Sequence, residues 1–156
     1  MAFQVSTGWS SRTSDQNKTE KRLLVERRKA HGVLVYSEGK PVGWCQFGPP
    51  SELPRIDRMR NYESATARPS SWRITCFFVD RDFRRKGVAK AALEGALRAL
   101  EKRGVASVEA YPHDTARGEF SASFIWHGTV RLFEQHGFVK ERKLGKNHWI
   151  VRKSLA

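Results

Sequence analysis

At 156 residues the chain has the length of one domain, and nine Phe, five Trp and three Tyr supply enough apolar bulk to exclude disorder over most of it. No run approaches the roughly 18 apolar residues of a membrane span, and the first residues lack the basic-then-apolar pattern of a secretory leader. A formal net charge of +13 attracts anions, which leaves nucleic acid, an acidic protein, an anionic membrane or a phosphorylated cofactor as partners, beside the plain reading of a solvated basic surface.

Residues 1–16 are polar, rich in Ser and Thr, and read as a flexible arm; residues 17–156 read as a single domain. The stretch 17–32, "NKTEKRLLVERRKAHG", reads as a short helix stopped by Gly32. Residues 33–36 and 42–47 are strand-like runs joined through "SEGK", a hairpin signal. Residues 48–71 form a long connection holding four of the six prolines, with a short helix expected over 56–62. Connections this long in compact domains are often functional.

Residues 72–79, "WRITCFFV", give the strongest strand signal. From Gly87 a helix is expected, because Val88, Ala92, Ala96 and Leu100 recur at helical spacing with Leu93 and Leu97 beside them, and Gly104 ends it. Residues 106–112, "ASVEAYP", read as a second strand, parallel to the first by the crossover rule. A loop then leads to a helix expected over 124–137, and residues 138–155 close the chain as a hairpin turning at "LGKN".

Between the strong strand and the first long helix stands "DFRRKG", residues 82–87. Three neighbouring cations, Arg84, Arg85 and Lys86, repel one another unless water or an anion separates them. The first amides of a helix have no partner within it and carry the positive end of its dipole, so they bind anions. Gly87 lets the backbone approach a phosphate closely. Neither the Walker loop nor the dinucleotide pattern G-x-G-x-x-G is present.

The motif that is present, Arg84-Arg85-Lys86-Gly87-Val88-Ala89, resembles the acetyl-CoA signature [RQ]-x-x-G-x-[GA] of the GNAT superfamily of N-acetyltransferases. "LFEQHGF", residues 132–138, is similar to that family's second signature, L-Y-x-x-x-G-F, and "PVGWCQFGP" resembles a variant of its second hairpin strand. The resemblance covers residues 32–155. It implies an α/β (α+β) fold: a mixed, mostly antiparallel central sheet flanked by helices, with one splayed parallel strand pair. It implies acetyl-CoA as cosubstrate, with pyrophosphate on the amides of Arg85 to Ala89, the side chains of Arg84, Arg85 and Lys86 facing the phosphate charge, and pantetheine pairing with exposed backbone of Phe77, Phe78 and Val79. A helix over 124–136 would flank the thiol end. The implied reaction is acetyl transfer to an amine.

Two positions depart from the family. The tyrosine that often protonates the leaving thiolate is Phe133, and the glutamate some members place at the start of the central strand aligns with Arg73. Glu109, Tyr111, Asp80 and His127 are the candidate substitutes. Glu109 leads, because a carboxylate inside an apolar strand is costly without work or a partner. Asp80 could equally cap a loop, Tyr111 fill the core, and His127 be an ordinary helix residue.

His31, His113, His127, His136 and His148 show no ligand spacing with one another or with Cys45 and Cys76, so no structural metal is expected. The two cysteines read as buried reduced thiols of a cytoplasmic protein. The basic segments match no nucleic-acid motif, and a solvated face is preferred for them. The competing function is a non-enzymatic module of the same fold, holding nucleic acid or an acidic partner on its basic face. The acceptor is a small-molecule or protein amine. The short stretch before the first hairpin leaves the acceptor side open, where a second copy in a homodimer could complete it.

Overall fold

The computed structural model describes residues 11–58, 62, 72–117 and 126–156. Its helices are α1 (Ser14–Glu26), α2 (Val88–Glu101) and α3 (Val130–Glu134), and its strands are β1 (His31–Ser37), β2 (Lys40–Gly48), β3 (Trp72–Val79), β4 (Ser107–Ala110), β5 (Val139–Leu144) and β6 (His148–Ser154). The six strands form one sheet in the order β1-β2-β3-β4-β6-β5. β3 and β4 run parallel, and the other neighbouring pairs are antiparallel. This is the mixed, helix-flanked sheet with one parallel pair that the family resemblance implies.

Local chemistry sets the first hairpin. Glu38 and Gly39 both have positive φ, 49° and 77°, the geometry of the two-residue turn whose twist matches antiparallel strands. α2 buries Val88, Ala92, Leu93, Ala96, Leu97 and Leu100. All of these but Val88 pack with Cys45, Phe47, Ile74, Phe77 and Val108 of the sheet, and with Phe133 and Phe138 of α3 and the residues after it. Gly43 is what allows the start of α2 to lie this close to β2: a Cβ there would stand 2.3 Å from Val88 Cγ1.

Three expectations need correction. α1 begins before residue 17 and ends well short of Gly32. Thr13 caps it: its side chain accepts from the Gln16 amide at 3.2 Å, and its own amide donates to the Gln16 side chain at 2.9 Å. This reciprocal box draws residues 14–16 out of the expected arm and into the helix. Residues 1–10 lie outside the described residues. The chain leaves the helix through Arg28, at φ 56°. Gly32 belongs to β1, where a Cβ would meet Trp44 Nε1 at 2.7 Å, so it serves close packing rather than termination.

The helix expected over 124–137 is α3, five residues long. Gly128 at φ 75° and an extended Thr129, whose hydroxyl accepts from the Leu132 amide at 3.2 Å, start it at 130. Residues 126–128 instead stretch across the gap between β3 and the continuation of β4; Phe124 and Ile125 lie outside the described residues. Of the helix expected over 56–62, residues 59–61 lie outside the described residues; residues 54–58 form turns, and Tyr62 is helical.

Candidate active site

β3 and β4 stay in register through Trp72↔Val108, Arg73↔Glu109 and Ile74↔Ala110, and no further. Beyond a bulge at Thr75, Cys76 to Val79 continue with β2 on one side and a gap on the other. A cleft of about 740 Å³ opens there and runs to the loop ahead of α2.

That loop is tightly built. Asp80 donates its amide to the Val42 carbonyl at 2.8 Å. Its carboxylate accepts from the Asp82 amide at 3.0 Å, capping a short 3-10 turn over Arg81–Phe83. Arg85 and Gly87 then take left-handed backbone, φ 61° and 80°. Gly87 is the N-cap of α2 and offers no side-chain cap, and the first turn holds no acidic residue. A Cβ at Gly87 would meet nothing within 4 Å. The left-handed backbone favours glycine there, and the space that a side chain would take at the helix start is open. Such a helix start suits a phosphate, worth roughly 0.3–2 kcal/mol from the dipole and roughly 1.5–3 kcal/mol for each charge-assisted hydrogen bond.

Of the residues expected to hold acetyl-CoA, Phe77, Phe78, Val79, Arg84, Arg85, Gly87, Val88 and Ala89 all line this cleft. Lys86 does not; its ammonium lies over the Phe83 ring, 5.4 Å from the centroid. Trp126, Thr129 and Leu132, from the segment expected to flank the thiol end, complete much of the wall, and Trp44 and Cys76 join it without a signal in the sequence motifs. Trp44 could have been found, because it stands opposite Phe78 once the two strands are paired in register.

The backbone of the three β3 residues is less open than expected. The Phe77 amide donates to the Trp126 carbonyl at 2.6 Å. The Phe78 carbonyl turns toward β2, 3.4 Å from where a Gly43 Cβ would stand. The Val79 carbonyl accepts from Arg84 Nε at 3.4 Å. Strand alternation explains Phe78: successive residues present their backbone groups to opposite neighbours, so it pairs with β2.

The four catalytic candidates lie outside the cleft wall. Glu109 is fully buried and accepts at Oε1 from the hydroxyls of Tyr62 (2.6 Å) and Tyr111 (2.5 Å) and from Arg73 Nε (3.2 Å). Its Oε2 accepts from Arg152 at 3.2 Å. Arg73 also grips Asp57 through two hydrogen bonds of 3.0 and 2.5 Å. Burial alone would lower the Arg73 pKa, but the Asp57 carboxylate and the two tyrosines hold it above its usual value. Burial, with Glu109 adding to it, raises the pKa of the Tyr111 phenol well above the ordinary tyrosine value. The arginine that replaces the expected base is thus the ion-pair partner of the leading candidate. Asp80 is the turn cap described above.

His127 is not on a helix. It lies in the stretch crossing the gap, between the wall residues Trp126 and Gly128. Its ring stands 5.9 Å from that of His113 and 5.2 Å from that of His148. Nε2 of His148 and Nε2 of His113 are 3.1 Å apart. Burial first, then the neighbouring imidazoles, pushes His127 down to about 4 and His148 likewise to about 4. Sequence spacing could not foretell this trio, because Gly128 and Thr129 on one side and β6 on the other bring it together around His113. It is not a metal-holding group; none occurs among the described residues. Phe133 is fully buried, edge-on to Phe77 and Phe138.

A sequence model of the acetyltransferase (GNAT) family matches residues 3–138. The chain belongs to the GNAT acetyltransferase family. No curated protein matches this GNAT chain. Among solved structures it is similar to an N-acetyltransferase from Staphylococcus aureus (TM-score 0.59, 16% identity, covering 98% of this chain and 83% of that one). It is also similar to a ribosomal-protein-alanine N-acetyltransferase from Brucella melitensis (TM-score 0.59, 16% identity, 91% and 79% covered). A third similar structure is the PaiA N-acetyltransferase from Thermoplasma acidophilum in complex with coenzyme A (TM-score 0.58, 13% identity, 90% and 71% covered). At these identities the likeness is one of fold, and it is the GNAT fold. No helix among the described residues is long and apolar enough to cross a membrane.

Proposed function

We propose that this GNAT protein transfers the acetyl group of acetyl-CoA to an amine. The observation that carries the reading is the cleft itself: it starts at the bare, glycine-capped N-terminus of α2, flanked by Arg84 and Arg85, and continues along the apolar wall of β3. The open space at Gly87 fits a phosphate group, and the wall of Trp44, Phe77, Phe78 and Leu132 fits an uncharged arm. The amides of Arg85 to Ala89 would hold the pyrophosphate. Bound there, acetyl-CoA supplies an activated acetyl thioester.

The protein's part is to position the amine and to manage its proton. A free amine of pKa near 10.4 is almost wholly protonated at pH 7, and its neutral form costs about 4–5 kcal/mol. His127 is the candidate placed next to the cleft, held neutral by burial, and it adjoins His113 and His148. A neutral imidazole can accept a proton, but the burial that holds His127 near 4 also makes it a weak base, so the proton must pass straight on to water. Glu109 has both oxygens engaged by four donors, so we assign it to structure rather than to proton transfer. No phenol at position 133 serves the leaving thiolate, and a thiol of pKa near 8.5 leaves as the anion at modest cost.

The test is Gly87→Glu. A side chain in left-handed backbone and a negative charge would both occupy the anion site, while the position touches nothing in the core. Calorimetry should show acetyl-CoA affinity lost by more than about 100-fold, as several bonds of roughly 1.5–3 kcal/mol go together, while stability falls only by the roughly 1–2 kcal/mol that a side chain costs in left-handed backbone. Wild-type affinity in the variant would sink the cofactor assignment.

A further inference from the structure

Lys21 lies in the middle of α1 and sends its ammonium over the Trp44 ring, 5.2 Å from the centroid. Trp44 faces Phe78, and Gln46 faces Cys76, across β2 and β3. Opposed residues of an antiparallel ladder share a face of the sheet. Trp44, Phe78 and Cys76 therefore stand on the face where Lys21 sits, and Cys45 and Phe77 stand on the face packed by α2. Trp44, Phe78 and Cys76 all belong to the cleft wall. Lys21 is not itself part of that wall; its amine lies over the ring of one wall residue, Trp44, on the side opposite α2.

We infer that Lys21 is an acetyl acceptor in its own chain, modified from acetyl-CoA bound in the same cleft. The inference rests on the acetyl-CoA reading above. In the step, the neutral Nζ of Lys21 attacks the thioester carbonyl carbon. An N–C bond forms, the C–S bond breaks, and the sulfur leaves with the bonding pair as thiolate. The surplus proton on nitrogen passes to water or to the thiolate, and the product is a neutral amide.

The setting favours the amine form. Burial lowers Lys21 to about 8, although Cys76 and then Glu52 pull the other way. At pH 7 roughly a tenth of such an amine is neutral, against roughly 1 in 2,500 for a solvated lysine. Lys90 is the built-in control. It also lines the cleft, but at the phosphate end, where its side chain is 63% exposed and its ammonium is 3.9 Å from Glu94.

Two measurements test this. First, without any CoA, the full chain is labelled with limiting acetic anhydride from about pH 6 to about pH 10 and mapped by peptide mass; Lys21 reactivity should have its midpoint near pH 8. Second, the full chain is incubated with acetyl-CoA at two protein concentrations about tenfold apart. One acetyl group per chain should appear at Lys21, at a rate per chain that dilution leaves unchanged, and Lys21→Arg should stay unmodified. Acetylation spread over many lysines, a rate that falls with dilution, or a Lys21 labelling midpoint near 10 would overturn the inference. Calorimetric binding of acetyl-CoA with Lys21 unmodified overturns self-acetylation alone. No binding at all overturns the acetyl-CoA reading and the inference together.

Discussion

Two regions of this molecule are built around arginine, and they are built in opposite ways. In the interior, Arg73 and Arg152 converge on Glu109, Arg73 also holds Asp57, and Arg152 also holds Glu141. At the start of α2, Arg84 and Arg85 stand beside bare amides, and among the described residues no carboxylate pairs with them. The first arrangement completes its own charge and has nothing left to offer a ligand. The second leaves its charge incomplete at the mouth of a cleft. Arginine content alone says nothing of function; the presence or absence of the answering carboxylate does.

The largest effect should come from breaking the interior set. Arg73→Ala leaves Glu109 buried beside the hydroxyls of Tyr62 and Tyr111, with one cation fewer, and should cost about 3–5 kcal/mol in urea denaturation. A loss below about 1 kcal/mol would mean that water reaches Glu109. At the cleft, replacing Arg84 and Arg85 together with Ala should leave stability unchanged and weaken acetyl-CoA roughly ten- to hundred-fold. A greater loss for acetyl-CoA than for dephospho-CoA would place one of them on the ribose phosphate. Equal losses would place both on the pyrophosphate, and no loss for either ligand would reduce the pair to a solvated surface.

A third contrast is pH. His127 and His148 titrate near 4 when folded and near 6.5 when unfolded, so the unfolded chain binds more protons between those values. Their stabilising contribution is complete above 6.5 and shrinks as pH falls toward 4. Denaturation curves at pH 7 and pH 5 should differ by about 2 kcal/mol for each of the two histidines, and His127→Gln should roughly halve that gap. The smallest effect concerns Tyr111, whose phenol is committed to Glu109. Turnover of the wild type should rise with pH without an alkaline fall, and Tyr111→Phe should keep that shape. A bell-shaped wild-type profile that loses its alkaline limb in the variant would make Tyr111 the acid after all.

What was legible in the sequence was local. The strand, cationic loop and helix over residues 72–104 read directly, because a hydrophobic run, a glycine and a helical repeat lie in immediate succession. The parallel pairing of β3 and β4 followed from the helix between them. The start of α1 is spelled by Thr13 and Gln16, but its polar first turns carry no apolar periodicity before the patch at Leu23 to Val25, so only the cap marks where the helix begins. The length of α3 was misjudged because Thr129 and Gly128 answer to His113, fifteen residues upstream of Gly128 and paired through the sheet. The histidine trio and the Arg73–Glu109 pair depend on strand register, which no single stretch contains. Arg73 read as a missing base; in three dimensions it is the reason Glu109 can be buried at all.

The hydrogen bond from Phe77 to the Trp126 carbonyl makes occupancy of the cleft a substitution. A guest that takes the Phe77 amide releases one partner as it gains another, so that contact adds little net enthalpy. Selectivity then shifts to the two ends: ionic strength governs the phosphate end, and desolvation of Trp44, Phe78 and Leu132 governs the other. Calorimetrically, a filled cleft should be marked by a negative heat-capacity change, and an isotope-exchange probe at the Phe77 amide should report a change of partner with little change in protection.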